Sequence, residues 1–218
     1  MVMANRVRSA LRAFTAWLRR REYIERDVGA LLERAKKEAV RDRELSIAEV
    51  RRIWVATYSM GDLWGPLLRL MVLTAQRRAS ITELRRGELD LDARTITKSA
   101  ASEKNARPHV THLSRPALDE VVRVLAAIED SGSDLLFTTT GRTPVSGWSQ
   151  VKLRLDKALG DDFKPWRLHD LRTAFASHMA KTGAPEGVVD RVLNHAASAT
   201  QASVVARTYQ LSDLLDQR

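Results

Sequence analysis

Strand-capable stretches are few and short in this sequence, and that scarcity constrains its fold more than any other feature. Away from Thr95–Lys98, 107–113 and 135–137, apolar residues recur at helical spacing. Val7, Leu11, Phe14 and Leu18 mark one face of a helix whose other face carries Arg8, Arg12 and Arg19. The run 66–74 (PLLRLMVLT), following Gly61, is apolar on most sides, as a helix enclosed by a core must be. Ser114 and Pro116 open a helix carrying Leu118, Val121, Val122 and Leu125. From 148 onward the pattern is helical, over 148–159, 169–181, 186–194 and 200–216, with Gly183 and Pro185 marking a stop and restart. The expected fold class is therefore mainly α with a small antiparallel β-sheet. Its hairpin pairs 95–98 with 107–113 across the polar tip 99–106, and 135–137 supplies a short third strand.

Residues 33–44 (ERAKKEAVRDRE) are nearly all charged or small and read as a linker or a solvated helix end. Ser46-Ile47-Ala48-Glu49 then has the form of a capping box ahead of Val50, Ile53 and Trp54. This predicts a boundary near 40–45 and two domains, 1–44 and 45–218. Hydrophobic residues at 44% are sufficient for a packed core. The 36 Lys and Arg outnumber the 27 Asp and Glu, and the formal charge of +9 favours a polyanionic partner through counterion release. An ordinary basic protein kept soluble by its charge reads the same way. The absence of cysteine excludes disulfides, thiolate zinc sites and thiol nucleophiles. Arg6, Arg8 and Arg12 enclose no apolar stretch of signal-peptide type. The most apolar segment, 63–75, is interrupted by Arg69 and falls far short of the ~20 residues that span a bilayer. A cytoplasmic protein with no membrane association is the expectation.

Several residues have the types needed for phosphoryl chemistry, each beside a structural reading. His169 and Arg172 stand three apart on one helix face, which a solvated face would also produce. Tyr209 is one of three tyrosines and sits in a polar stretch, either as an amphipathic anchor or as a phenol activated by nearby cations. His195 follows Asn194 at a helix end, where Asn suits a left-handed cap and a histidine can interact with the helix dipole. Arg77 and Arg78 close the apolar helix, either compensating its dipole or presenting a guanidinium fork to a phosphate.

Their order is more telling than any one of them. Thr74-Ala75-Gln76-Arg77 followed by Leu84-Arg85-Arg86-Gly87-Glu88-Leu89-Asp90 resembles the first arginine box of tyrosine recombinases, T-G-x-R then L-R-W-x-D-I-D. The segment 103–110 (EKNARPHV) is similar to that family's hairpin, T-K-N-G-R-P-H-V. The segment 166–178 (WRLHDLRTAFASH) is similar to its second box, H-D-L-R-R-T-F-A-T-H, and Leu193-Asn194-His195 to the L-N-H ahead of the nucleophile. Residues 5–26 look like the last helical stretch of the family's core-binding domain.

The resemblance implies the tyrosine recombinase catalytic-domain fold over 45–218, with 1–44 the C-terminal remnant of a DNA-binding core-binding domain. Met1 would then begin a fragment, by design or by decay of a prophage gene. It implies a site-specific recombinase, or phage integrase, that breaks and rejoins double-stranded DNA, a homotetramer on DNA and a monomer without it. The implied catalytic residues are Arg77, Lys104, His169, Arg172, His195 and Tyr209, with no cofactor and no metal. Four departures bear on turnover: Ser80 stands where the family carries an acidic residue supporting the histidine, Ala75 and Ala106 stand where it carries glycine, and fourteen positions separate His195 from Tyr209. Rival readings are a catalytically impaired DNA-binding remnant and a type IB topoisomerase. A zinc enzyme using His169, His178 and His195 fits poorly, because spacings of nine and seventeen match no usual ligand motif.

Overall fold

The structure, a computed structural model, describes residues 2–34, 43–102, 108–129 and 132–194. The chain divides after Asp42 into two compact units. The first comprises α1 (Val2–Arg20) and a 3-10 turn, Val28–Leu31. Two arginines of α1 reach that turn: Arg8 Nε donates to Leu32 O at 2.7 Å and Arg12 Nη1 to Ala30 O at 2.8 Å. Thr15 Oγ1 donates to Asp27 at 2.6 Å and holds that carboxyl below its ordinary range. Gly29 is required here, since a Cβ at its position would lie 2.0 Å from Thr15 Oγ1. The face predicted from Val7, Leu11 and Phe14 is helical and exposed, and Phe14 stacks on Trp17 with centroids 6.2 Å apart.

The second unit is built around α3 (Gly61–Thr74). One side of α3, with Leu67, Leu70 and Met71, packs with Ile96, Leu113, Val121 and Phe137. Its other side places Leu68 against Ile53, Leu155, Trp166 and Leu171. Burial on both sides is why 66–74 is apolar nearly all round. The single charge in that run is neutralised: Arg69 forks onto Glu120 of α5 (Arg115–Ala127), Nε to Oε1 at 2.7 Å and Nη2 to Oε2 at 2.8 Å. Its guanidinium also lies 4.7 Å from the Tyr58 ring centroid.

Ahead of α3, α2 (Ile47–Ala56) begins with the predicted capping box: Ser46 N donates to Glu49 Oε2 at 2.9 Å, and Glu49 N to Ser46 Oγ at 3.2 Å. Arg43 Nη2 meets Glu49 Oε1 at 2.6 Å, and this bond is the main cause that lowers the Glu49 carboxyl to about 2.

After α3 come the short α4 (Arg78–Thr82) and a three-stranded antiparallel sheet in the order β1 (Leu89–Asp90), β2 (Thr95–Lys98), β3 (His109–His112). Ile96 pairs with Leu89 on one side and Thr111 on the other. The third strand of this sheet is thus 89–90. Residues 135–137, expected to supply it, lie elsewhere: Leu136 N donates to Leu84 O at 2.9 Å and Val145 N to Phe137 O at 2.9 Å. An apolar triplet is satisfied equally by a sheet or by loop backbone inside a core, and here the core takes it. Lys98 ends β2 buried, with Nζ 2.6 Å from Glu88 Oε2 and 3.1 Å from Glu83 O, so it ties the hairpin base to the 83–88 segment.

The remaining helices are α6 (Trp148–Leu159), α7 (Leu168–Lys181) and α8 (Glu186–Val192). The last ends two residues before the predicted 194, with Asn194 in the left-handed region at φ 48°. Of the apolar residues read on α5, Val121 is buried and Val122 exposed, and Ala117 and Val124 are buried beside Val121. The predicted helix 200–216 and residues 103–106 of the hairpin tip lie outside the described residues. Among the described residues no helix is long and apolar enough to cross a membrane.

Candidate active site

The turn after α3 sets the site. Ala75 caps the helix at φ 52°, ψ 20°, and its N–H closes on Met71 O at 3.1 Å. A left-handed residue reverses the chain at once, so Gln76 and Arg77 leave at a sharp angle and α4 starts at Arg78. Glycine suits this position better, because alanine pays roughly 1 kcal/mol there for its Cβ. The buried Ala75 methyl packs in return with Val189 and Leu193.

Three side chains from this turn and from α7 meet the end of α8. Gln76 Nε2 donates to Val192 O at 2.7 Å, Arg172 Nη2 donates to Leu193 O, and Arg77 Nη2 donates to Asn194 O at 3.0 Å. A helix C-terminus leaves its last carbonyls without intrahelical partners, and cationic donors suit its dipole. Three consecutive carbonyls are satisfied in this way. Arg172 is buried and spans two backbones, since its Nη1 also donates to Ala75 O at 2.7 Å.

The first turn of α7 presents His169. Arg167 N donates to Asp170 Oδ2 at 2.8 Å, half of a capping box, because a guanidinium has no acceptor to return the bond. Asp170 is thus engaged at the helix start. His169 is exposed, and among the described residues its imidazole has no hydrogen-bond partner.

Arg77, His169 and Arg172 share one cleft of about 580 Å³, formed by the α3–α4 turn and the first turns of α6 and α7. Arg78, Lys152 and Arg167 also line it, and none of its lining residues is a carboxylate. Lys152 is partly offset by Asp156 at 2.5 Å. Arg77 is half-buried and Arg78 exposed. Of the residues read from the sequence as catalytic, the structure brings together Arg77, His169 and Arg172; Lys104, His195 and Tyr209 lie outside the described residues. The described chain reaches Asn194, one residue before His195, at the carbonyl that Arg77 holds.

Sequence reasoning missed Gln76, Lys152, Arg167 and the role of Trp148. Gln76 and Arg167 stand inside or beside the two boxes and were within reach. Lys152 and Trp148 carry no local pattern. His178, considered with His169 as a zinc ligand, is directed elsewhere: its Nε2 lies 2.8 Å from Leu45 O, and it does not line the cleft. Among the described residues no group of His, Asp and Glu is placed to hold a metal ion.

A mainly helical domain with a small edge sheet and a cation-lined, carboxylate-free cleft defines a class of protein suited to an anionic ligand. The chain belongs to the phage integrase family, whose model matches residues 25–208. It is 28% identical over 208 residues to a tyrosine recombinase XerD from Ralstonia nicotianae, across 88% of this chain and 65% of that protein. The chain therefore spans about two-thirds of the length of this curated relative. Among solved structures it is similar to a lambda integrase tetramer bound to a Holliday junction, with a TM-score of 0.66, 22% identity, and coverage of 92% of this chain and 60% of that one. XerA recombinase gives a TM-score of 0.62 and 19% identity, over 83% of this chain and 67% of that one. These likenesses show the tyrosine recombinase fold.

Proposed function

We propose that the chain is the catalytic domain of a site-specific DNA recombinase that cleaves and rejoins strands through a 3′-phosphotyrosyl intermediate on Tyr209. The convergence of Arg77, His169 and Arg172 in one carboxylate-free cleft carries this reading. Attack of the Tyr209 phenolic oxygen on phosphorus forms the new ester as the bond to the 5′-oxygen breaks. The two arginines stabilise the charge that grows on the non-bridging oxygens. His169 accepts the phenolic proton, Lys104 delivers a proton to the departing 5′-oxygen, and His195 donates a hydrogen bond to the same phosphate. Cationic side chains take the place a metal holds in other phosphoryl transfers, and the phosphotyrosyl ester conserves the energy needed for rejoining.

Residues 45–218 form the catalytic domain in this reading, and 1–44 the C-terminal part of a core-binding domain. Double-stranded DNA is the substrate, on which the protein assembles as a tetramer from monomers. Related structures contain lambda integrase as a dimer on a core site and as a tetramer on a Holliday junction, which supports this assembly. The competing reading is a DNA-binding protein without turnover, favoured by Ser80 in place of the usual acidic residue. A nicked duplex that traps the cleaved strand separates the two. A recombinase leaves a detergent-stable protein–DNA adduct, and a pure binder leaves none.

A further inference from the structure

Arg78 differs from Arg77, Arg172 and Lys152, the cations of the cleft that have a carbonyl or carboxylate partner. Arg172 directs two N–H groups to the carbonyls of Ala75 and Leu193, Arg77 directs one to Asn194, and Lys152 is paired with Asp156. Among the described residues the Arg78 guanidinium makes no ion pair, and its partner is the face of Trp148, whose centroid lies 5.2 Å from Cζ. That indole is held in place: it meets Trp64 edge-on, with centroids 5.0 Å apart, and both rings pack on the core. Stacking fixes the plane of a guanidinium and leaves its in-plane N–H donors unengaged, the disposition that grips phosphate oxygens in pairs.

The charge of the cleft points the same way. Arg77, Arg78, Arg167 and Arg172 line it with no carboxylate among them, whereas a single scissile phosphodiester brings one negative charge.

We infer that Arg78 binds a second phosphodiester of the same strand, beyond the one held by Arg77 and Arg172, so that the cleft grips more of the DNA backbone than the scissile phosphate. This rests on the reading of the chain as a DNA-cleaving recombinase. The alternative is a structural role, in which Arg78 merely covers Trp148.

The salt dependence of duplex binding distinguishes the two, because each phosphate contact contributes about 0.9 to the slope of log K against log salt. Arg78→Gln is expected to lower that slope by about 0.9, and Arg78→Lys, which keeps the charge, to retain it. Arg123→Gln, an equal charge change at an exposed α5 position outside the cleft, is expected to leave the slope unaltered. A slope unchanged by Arg78→Gln, or lowered as much by Arg123→Gln, overturns the assignment. Adduct formation by the wild-type chain on nicked DNA is scored in parallel. An adduct with an unchanged slope removes Arg78 from the DNA interface and leaves the recombinase reading standing. A lowered slope with no adduct does the reverse.

Discussion

Arg172, deep in α7, donates to the carbonyl of Ala75 at 2.7 Å across 97 residues of sequence. The bond joins the two arginine boxes backbone to side chain, so the position of Arg77 depends on Arg172 as well as on the turn that precedes it. Arg172 also holds Leu193, and the α8 end, the α3 turn and the first turns of α7 become one unit.

This coupling predicts that the two arginines fail differently. Arg172→Ala leaves two buried carbonyls unpaired and is expected to cost about 2–4 kcal/mol of stability together with all adduct formation. Arg77→Ala removes the part-buried bond to Asn194 O and is expected to cost less, about 1 kcal/mol, while also abolishing the adduct. Urea denaturation beside an adduct assay checks both. Equal stability losses would contradict the claim that the Ala75 and Leu193 bonds make Arg172 the more stabilising of the two.

The buried pair Arg69–Glu120 makes a second prediction. Arg69→Met strands a carboxylate inside the core and is expected to cost about 3–5 kcal/mol. The double variant Arg69→Met/Glu120→Leu removes both charges and is expected to recover most of that loss. The four denaturation curves of this cycle test it, and an additive double variant would contradict it.

Acid sensitivity follows from Glu49. Its carboxyl is lowered from 4.5 to about 2, first by the Arg43 hydrogen bond, so the folded state binds this proton less readily than the unfolded chain. The stabilisation is complete above the unfolded value and fades as pH falls from about 4.5 through 2. Discounted for partial solvent screening, it is about 1–2 kcal/mol at neutral pH. Glu49→Gln should be destabilised by that amount at pH 7, and the difference from wild type should close by pH 2. A difference independent of pH would exclude the ion pair as its source.

Most helices were legible because their punctuation is local. Ser46 with Glu49, Ser114 with Pro116, and Gly183 with Pro185 mark starts and stops within a few residues of the events they cause. What was not legible depends on partners distant in the chain. Arg69 reads as an interruption of an apolar run until Glu120, 51 residues later, is brought beside it. Lys98 reads as a polar strand end until Glu88 meets it inside. The two-residue β1 has no period of its own and exists because β2 offers it a ladder. Arg77, His169 and Arg172 were picked out by motif order, whereas the position of Arg78 over the Trp148 ring follows only from tertiary packing.

Ser80 yields a prediction about rate. Among the described residues the His169 imidazole has no hydrogen-bond partner, and neither Glu83 nor Asp170 is seen bonded to it. By the resemblance to the family's first box, a carboxylate at position 80 would orient the ring, and misplacement of a catalytic group can cost ~10²-fold. Ser80→Glu is expected to speed cleavage of a suicide substrate, and Ser80→Ala to change it little. A folded Ser80→Glu chain no faster than wild type would remove Ser80 as the cause of any slow turnover.

Tyr209→Phe tests the central claim most directly, because it deletes one oxygen and no charge. Wild-type and variant chains are incubated with the same nicked duplex, and both covalent adduct and equilibrium DNA affinity are measured. The account predicts an adduct with the wild type alone, at nearly equal affinities. An adduct that persists in the Phe variant would contradict the assignment of Tyr209 as nucleophile.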